Sequence, residues 1–206
     1  MIVLVRHGQA SWGTDDYDVL SPLGEAQAAV VGAELAGLSP ALVVHGLLRR
    51  QRQTAEAAMA SAGWDCPVRV DPAWDEVDMD ALLEVTPRPF EGEPDARQFQ
   101  QWYEHATLRW AGAEHEYAES YAAFQARVLD GLRSLVGERN AVVFTSGGPI
   151  AVVTANLLDG GVTSYVRLAP VVVNTSITRV LTGRRGPTLL TFNDHGHLAQ
   201  DQLTYR

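Results

Sequence analysis

The chain reads as an α/β protein, a three-layer α/β/α sandwich around a mostly parallel sheet. Three observations predict this. The short apolar runs Met1–Val5, Ala41–His45 and Ala141–Thr145 have the length and β-branched content of buried strands. Stretches of apolar residues near helical spacing lie between such runs, and the first is opened by a capping signal. Strand and helix alternate, and parallel strands need crossover connections of that kind. At 206 residues the whole chain, 1–206, fits one domain with a sizeable core.

The elements follow in order. The first strand ends abruptly in Arg6-His7-Gly8-Gln9. Ser21-Pro22-Leu23-Gly24-Glu25 joins a capping serine, a proline in the first turn and an early acidic residue, so a helix is predicted from there to about Gly37. Ala41–His45 is the second strand, Leu48 to about Ala62 the second helix, and Val68–Val70 a third strand. From about 71 to 119 the pattern is broken by Pro87, Pro89 and Pro94. This segment is predicted to be an insertion over the C-terminal edge of the sheet, either a substrate lid or a packed helix over Ala96–Trp110 without a substrate role. A helix near Ser120–Val136, the strand Ala141–Thr145 and a helix to about Leu158 restore regularity. Two strands, Ser176–Leu181 and Thr188–Phe192, complete the sheet.

Composition removes several classes of function. A formal charge of -9 without any basic run argues against nucleic-acid binding. All sixteen basic residues are Arg, which a GC-rich, bacterial genome would account for. Cys66 is the single cysteine, so no intrachain disulfide forms and a cytoplasmic setting is expected. It lies in Trp64-Asp65-Cys66-Pro67 without a basic neighbour and is expected to be inert. No stretch has the length of a membrane span or the form of a secretory signal, so a soluble protein is expected.

The Arg6-His7-Gly8 junction carries the chemistry. Arginine offers a permanent charge and a planar fork of donors, histidine a nitrogen nucleophile near neutral pH, and glycine a close backbone approach. Ligands of open α/β sheets bind beyond the carboxyl ends of the strands. A phosphoryl-group site is therefore predicted there. Leu48-Arg49-Arg50-Gln51-Arg52-Gln53-Thr54-Ala55 adds a second basic cluster at a helix N-terminus, which itself favours anions.

With Ser-Pro-Leu-Gly-Glu-Ala-Gln in the first helix, and Glu119, Phe124, Arg127 and Val128 further on, these blocks resemble the histidine phosphatase superfamily over nearly the whole chain, and Leu48–Ala55 resembles that family's Leu-x-Arg-Ala-x-x-Thr-Ala block. That group includes cofactor-dependent phosphoglycerate mutases and many broad phosphatases. The resemblance implies a phosphoglycerate mutase-like fold and a mechanism without metal or cofactor. His7 would be the nucleophile that becomes phosphorylated, and Arg6 and Arg50 would hold the phosphoryl oxygens. Glu76, in a segment crowded by Asp75, Asp78 and Asp80, matches the family's proton donor to the leaving oxygen.

Two positions depart from the family's pattern. Gly13 stands where many members have a phosphate-contacting asparagine, leaving the Ser11–Thr14 backbone to replace it. Ser146, ahead of Gly147-Gly148, stands in place of the family's second histidine, keeping a hydroxyl donor but no charge. His195 is expected to reach the phosphate pocket and make good that loss, and His45 to line it. The reading is a metal-independent phosphomonoesterase for a small phosphorylated substrate, with a dimer possible. The alternatives are mutase-type phosphoryl transfer and a degenerate phospholigand-binding protein.

Overall fold

The computed structural model describes residues 1–11 and 17–205, the Ala96 side chain excepted. Six strands form one sheet: β1 (Ile2–Arg6), β2 (Leu42–His45), β3 (Val68–Val70), β4 (Ala141–Thr145), β5 (Ile177–Gly183) and β6 (Gly186–Asp194), in the order β3-β2-β4-β1-β5-β6. The β1–β4, β2–β4 and β2–β3 pairs are parallel, so the expected α/β fold is present. β5 runs antiparallel to β1 and β6 antiparallel to β5, so the last two strands form a hairpin added to the parallel set. In sequence they are joined by Gly183-Arg184-Arg185-Gly186, a turn too short for a crossover.

Period-two alternation assigns each side chain of β1 to a layer. Val3 and Val5 face helices α1 (Pro22–Glu34) and α2 (Arg49–Ala62), where they meet Val31, Ala58 and Phe144. Ile2 and Leu4 face the opposite layer, built from α5 (Tyr121–Ser134) and α6 (Gly147–Leu157) with Phe124, Val128 and Ile150. Ser21 caps α1 by accepting the Gly24 N–H at 3.1 Å, with Pro22 at the first helical position.

The 71–119 segment contains α3 (Met79–Glu84) and α4 (Ala96–Ala111). A further helix, α7 (Gly161–Leu168), follows α6. The sequence does not announce α3 or α7: α3 is a six-residue helix among prolines, and Gly160-Gly161 reads as a break. Ala106 and Trp110 of α4 enter the main core, while Phe99 and Tyr103 face a cavity. α4 thus both packs on the core and lines a cavity.

Close approach of α1 to α2 depends on Gly32. A methyl built there would stand 2.3 Å from the Ala58 carbonyl oxygen, a backbone atom that cannot swing away. Alanine would gain roughly 1 kcal/mol of helix propensity, against overpacking costs of about 1–3 kcal/mol. Gly32→Ala is expected to lower stability by about 1–2 kcal/mol, read as a reduced urea midpoint at unchanged slope.

Candidate active site

The carboxyl ends of β1 and β4 bring the predicted residues together. His7 follows β1, its N–H donating to Thr145 O at 2.8 Å, while Asn174 Nδ2 donates to His7 O at 2.9 Å. The buried Thr175 beside it is held at φ 56°, a left-handed conformation unusual for a β-branched residue and costing about 1–3 kcal/mol. Its N–H donates to Arg6 O at 3.1 Å, so the strained turn clamps the Arg6-His7 backbone. Gly8 lies so close to α1 that an added methyl would fall 2.4 Å from Gly24 O.

His7 is only 3% exposed. Its Nδ1 lies 2.7 Å from Gly8 O, which can only accept, so Nδ1 carries the proton and Nε2 keeps its lone pair. Arg50 Nε donates to Nε2 at 3.2 Å, consistent with that tautomer. Burial, followed by the Arg50 and Arg6 guanidinia, holds the imidazole well below the usual histidine range. Nε2 is therefore free of a proton at neutral pH.

Both arginines are fixed. Arg50 pairs with Asp18 at 2.7 Å, and the same carboxylate accepts the Arg49 N–H at 2.8 Å, supplying the cap that Leu48 cannot give α2. The guanidinium lies 5.3 Å from the Tyr17 ring centroid. Arg6 donates from its terminal nitrogens to Val172 O and, at 3.0 Å, to Tyr205 O. Its buried Nε has no partner among the described residues and lies 3.8 Å from where a Gly147 methyl would stand. Nε is thus a donor without a protein partner, beside the second N–H that each terminal nitrogen keeps.

Glu76 is the acidic residue of its segment that reaches this place. Its Oε2 accepts the Gly148 N–H at 2.9 Å and its Oε1 the Val77 N–H at 3.1 Å. A methyl at Gly148 would lie 2.0 Å from Oε1, so glycine makes room for the carboxylate. Asp75 instead accepts the Leu47 N–H at 2.6 Å, and burial raises its pKa. Asp78 caps α3 through the Ala81 N–H, and Asp80 is exposed. Arg127 pairs with Glu119 at 2.6 Å and donates to Ala73 O and Asp75 O at 3.1 and 2.8 Å, holding the Glu76 segment against α5.

Ser146 is 1% exposed and starts α6 without capping it. Its Oγ accepts from Gln51 Nε2 at 2.9 Å, and Nε2 also donates to Trp74 O at 3.0 Å. Gln51 is fully buried, and its Oε1 has no donor among the described residues. In the arginine block quoted above, the family has alanine where this chain has Gln51.

A cavity of about 740 Å³ opens beside these groups, with Arg6, Glu76, Gly147 and Gly148 at one end and Tyr103 and Tyr165 among its walls. His7, Arg50 and Ser146 are not on its wall; their near-complete burial puts them behind it. Burial, with Glu76 nearby, pushes the Tyr103 phenol up and keeps it protonated.

His195 and His45, the two other histidines expected at the pocket, stand apart from the cavity. His195 Nδ1 lies 2.6 Å from Asn193 O at the end of β6, two strands from β1 in the sheet, and the ring does not line the cavity. Asp194 immediately before it pairs in register with Ile177, and its carboxylate meets Arg179 at 2.9 Å. His45 is buried beneath α2, its Nδ1 2.6 Å from Gly46 O. Gly13 and Thr14 lie outside the described residues. Among the described residues, no three His, Cys, Asp or Glu side chains are grouped to share a metal ion, and no helix is long and apolar enough to cross a membrane. Burial and Asp65 raise the Cys66 thiol, in keeping with an unreactive side chain.

A neutral histidine, two fixed guanidinia and an acidic side chain at the strand ends of an α/β sheet define an enzyme of the phosphoryl-handling class. The chain belongs to the histidine phosphatase superfamily (branch 1), whose sequence profile matches residues 2–195. No curated protein sequence matches it significantly. Among solved structures it is similar to a mycobacterial glucosyl-3-phosphoglycerate phosphatase complexed with VO3, at 25% identity and TM-score 0.68, covering 94% of this chain and 99% of that one. A mutant phosphoserine phosphatase from Entamoeba histolytica, in complex with phosphoserine, shares 22% identity at TM-score 0.71, with coverage of 96% and 98%. YhfR of Bacillus stearothermophilus shares 19% at TM-score 0.72, with coverage of 95% and 98%. The last two likenesses speak to the fold alone.

Proposed function

We propose that the protein is a metal-independent phosphomonoesterase working through a phosphohistidine at His7. The observation that carries this reading is the fixed neutral His7, proton on Nδ1 toward Gly8 O and lone pair on Nε2 beside Arg50. The phosphoryl group takes the place of the Arg50–His7 contact, its oxygens drawn to Arg50 and to the free Nε of Arg6. Nε2 attacks phosphorus, the ester P–O bond breaks, and Glu76, entering this step as the carboxylic acid, gives its proton to the departing alcohol oxygen and becomes the carboxylate. A water, deprotonated by the Glu76 carboxylate, then attacks phosphorus and breaks the N–P bond, releasing phosphate and restoring His7. The guanidinia neutralise charge that a metal ion neutralises in other phosphatases. Mutase-type transfer is not favoured, because Arg6 is the sole cation among the described cavity-lining residues.

The test is a rapid acid-free quench after mixing with a phosphate ester labelled in its phosphoryl group. Label retained on His7 in alkali and lost in acid is expected. Tight phosphate binding without turnover or labelled His7 would overturn the reading in favour of a phospholigand-binding protein, the alternative that the uncharged Ser146 supports.

The pH profile gives a second expectation. A His7 pKa well below its ordinary value leaves the nucleophile competent throughout the range above about 6.5. The acid limb of kcat/KM is then expected to follow the second ionisation of the substrate phosphate, near about 6, and to move when that ionisation is moved by changing the ester. An acid limb fixed at one pH across esters would contradict it.

A further inference from the structure

We infer that the alcohol part of the substrate is bulky, ring-bearing and largely apolar, and carries no second anionic group; this rests on the phosphatase reading above. The cavity next to Arg6 and Glu76 has a volume of about 740 Å³, well beyond what a three-carbon phospho-acid fills, and within the common range for sites that enclose sizeable organic ligands. Its walls beyond the phosphate end include Phe99, Tyr103 and Leu108 of α4, with the polar Gln100, Glu104 and Thr107 of the same helix, and Tyr165, Val166 and Pro170 on and after α7. Leu108 is 54% exposed, an apolar side chain left open on this rim. Burial keeps Tyr103 and Tyr165 protonated, so they offer ring faces and neutral hydroxyls without negative charge.

Charge excludes the other class of ester. A second carboxylate or phosphate entering here would find no unengaged cation. Arg6 gives one N–H from each terminal nitrogen to Val172 O and Tyr205 O, and its charge and remaining donors, Nε among them, are taken by the phosphoryl group itself. Arg50 is held by Asp18 and His7. Arg88, Arg97 and Arg109 of the 71–119 segment are not among the described residues that line the cavity. Arg88 lies 5.0 and 5.4 Å from the rings of Phe90 and Trp102, and Arg109 is 3.3 Å from Glu114. Glu104 stands on the cavity wall itself, exposed, so a second anion meets a like charge there.

The test compares 2-phenylethyl phosphate with 3-phosphoglycerate and O-phosphoserine. All three release alkyl alcohols, so ring burial and charge rather than leaving-group chemistry dominate the difference. The ratio of kcat/KM in favour of the phenylethyl ester is expected to be about tenfold or more, the size expected for burying an aromatic ring. Glu104→Arg is expected to narrow the ratio against 3-phosphoglycerate by roughly fivefold, as reversal of a partly screened charge near a ligand should. Equal or higher kcat/KM for the phospho-acids would overturn the inference while leaving the phosphatase reading intact. Absence of turnover and of label on His7 with every ester would overturn that reading instead. The ordering would then be read from calorimetric Kd values for the same esters, where preference for the phospho-acids again counts against the inference.

Discussion

His7→Ala is expected to lower kcat/KM for a phosphate ester by about 10⁴-fold or more, the loss typical of removing the central member of a catalytic group. The size follows from how much converges on one ring. The Gly8 carbonyl sets the tautomer, Arg50 addresses the reacting nitrogen, and burial with two guanidinia keeps that nitrogen unprotonated. The fold should survive, because the backbone bonds from His7 N to Thr145 and from Asn174 to His7 O do not involve the ring. The variant also makes a thermodynamic prediction with a definite sign. In the wild type the unfolded chain binds a proton at His7 below about pH 6.5, whereas the folded chain resists it to a lower pH. Protons therefore favour the unfolded state in that window, and the folded protein loses stability as pH falls through it. Removing the ring should flatten this part of the stability–pH curve, measured by urea unfolding between pH 7.5 and 5. An active, label-accepting His7→Ala protein would place the nucleophile elsewhere.

The parts of this site legible in the sequence are those fixed by strand ends. Arg6 and His7 follow a strand whose apolar run is unmistakable, and Arg50 opens a helix after the second strand. Their convergence follows from the topology that β1, β4 and β2 share. Glu76 was harder to separate from Asp75, Asp78 and Asp80, because all four are acidic and only packing distributes them. The groups that hold the functional residues in place were not legible at all. Asp18 reaches Arg50 from a different segment, and Asn174 meets the His7 carbonyl across 167 positions of chain. No local pattern encodes such contacts. His195 shows the converse error of reading proximity from strand order at the sheet edge. The final strand, β6, does end on the same edge as β1, but β5 lies between them, and the His195 ring turns to its own backbone. Gln51 did leave a signal, a bulky amide where the family has alanine in its arginine block, but its meaning appears only once Ser146 is seen against it.

The pairing of Gln51 with Ser146 makes the largest gain of function predictable. A small residue stands where the family has histidine, and a large one where it has alanine, with 2.9 Å between Gln51 Nε2 and Ser146 Oγ. Both are almost completely buried, so an imidazole introduced by Ser146→His alone must enter volume that the amide already fills. Overpacking of this kind costs about 1–3 kcal/mol, and the single substitution is expected to lower stability without raising activity. Gln51→Ala alone opens a cavity and takes one donor from Trp74 O, which still receives the Thr145 hydroxyl at 2.6 Å. It also removes a buried Oε1 that has no donor among the described residues. Together, Gln51→Ala and Ser146→His exchange volume for volume and bring a second ring nitrogen toward the phosphoryl site. A preorganised donor to the charge that develops in the transition state contributes about 2.7–4 kcal/mol, so kcat/KM of the double variant is expected to rise by on the order of 10²–10³. The energies should be strongly non-additive, both in stability from urea unfolding and in turnover of a common ester. Full gain from Ser146→His alone would show that Gln51 does not occupy the histidine's space. A loss of activity in the double variant would mean that the Ser146 hydroxyl, oriented by Gln51, is itself the phosphoryl donor of this enzyme.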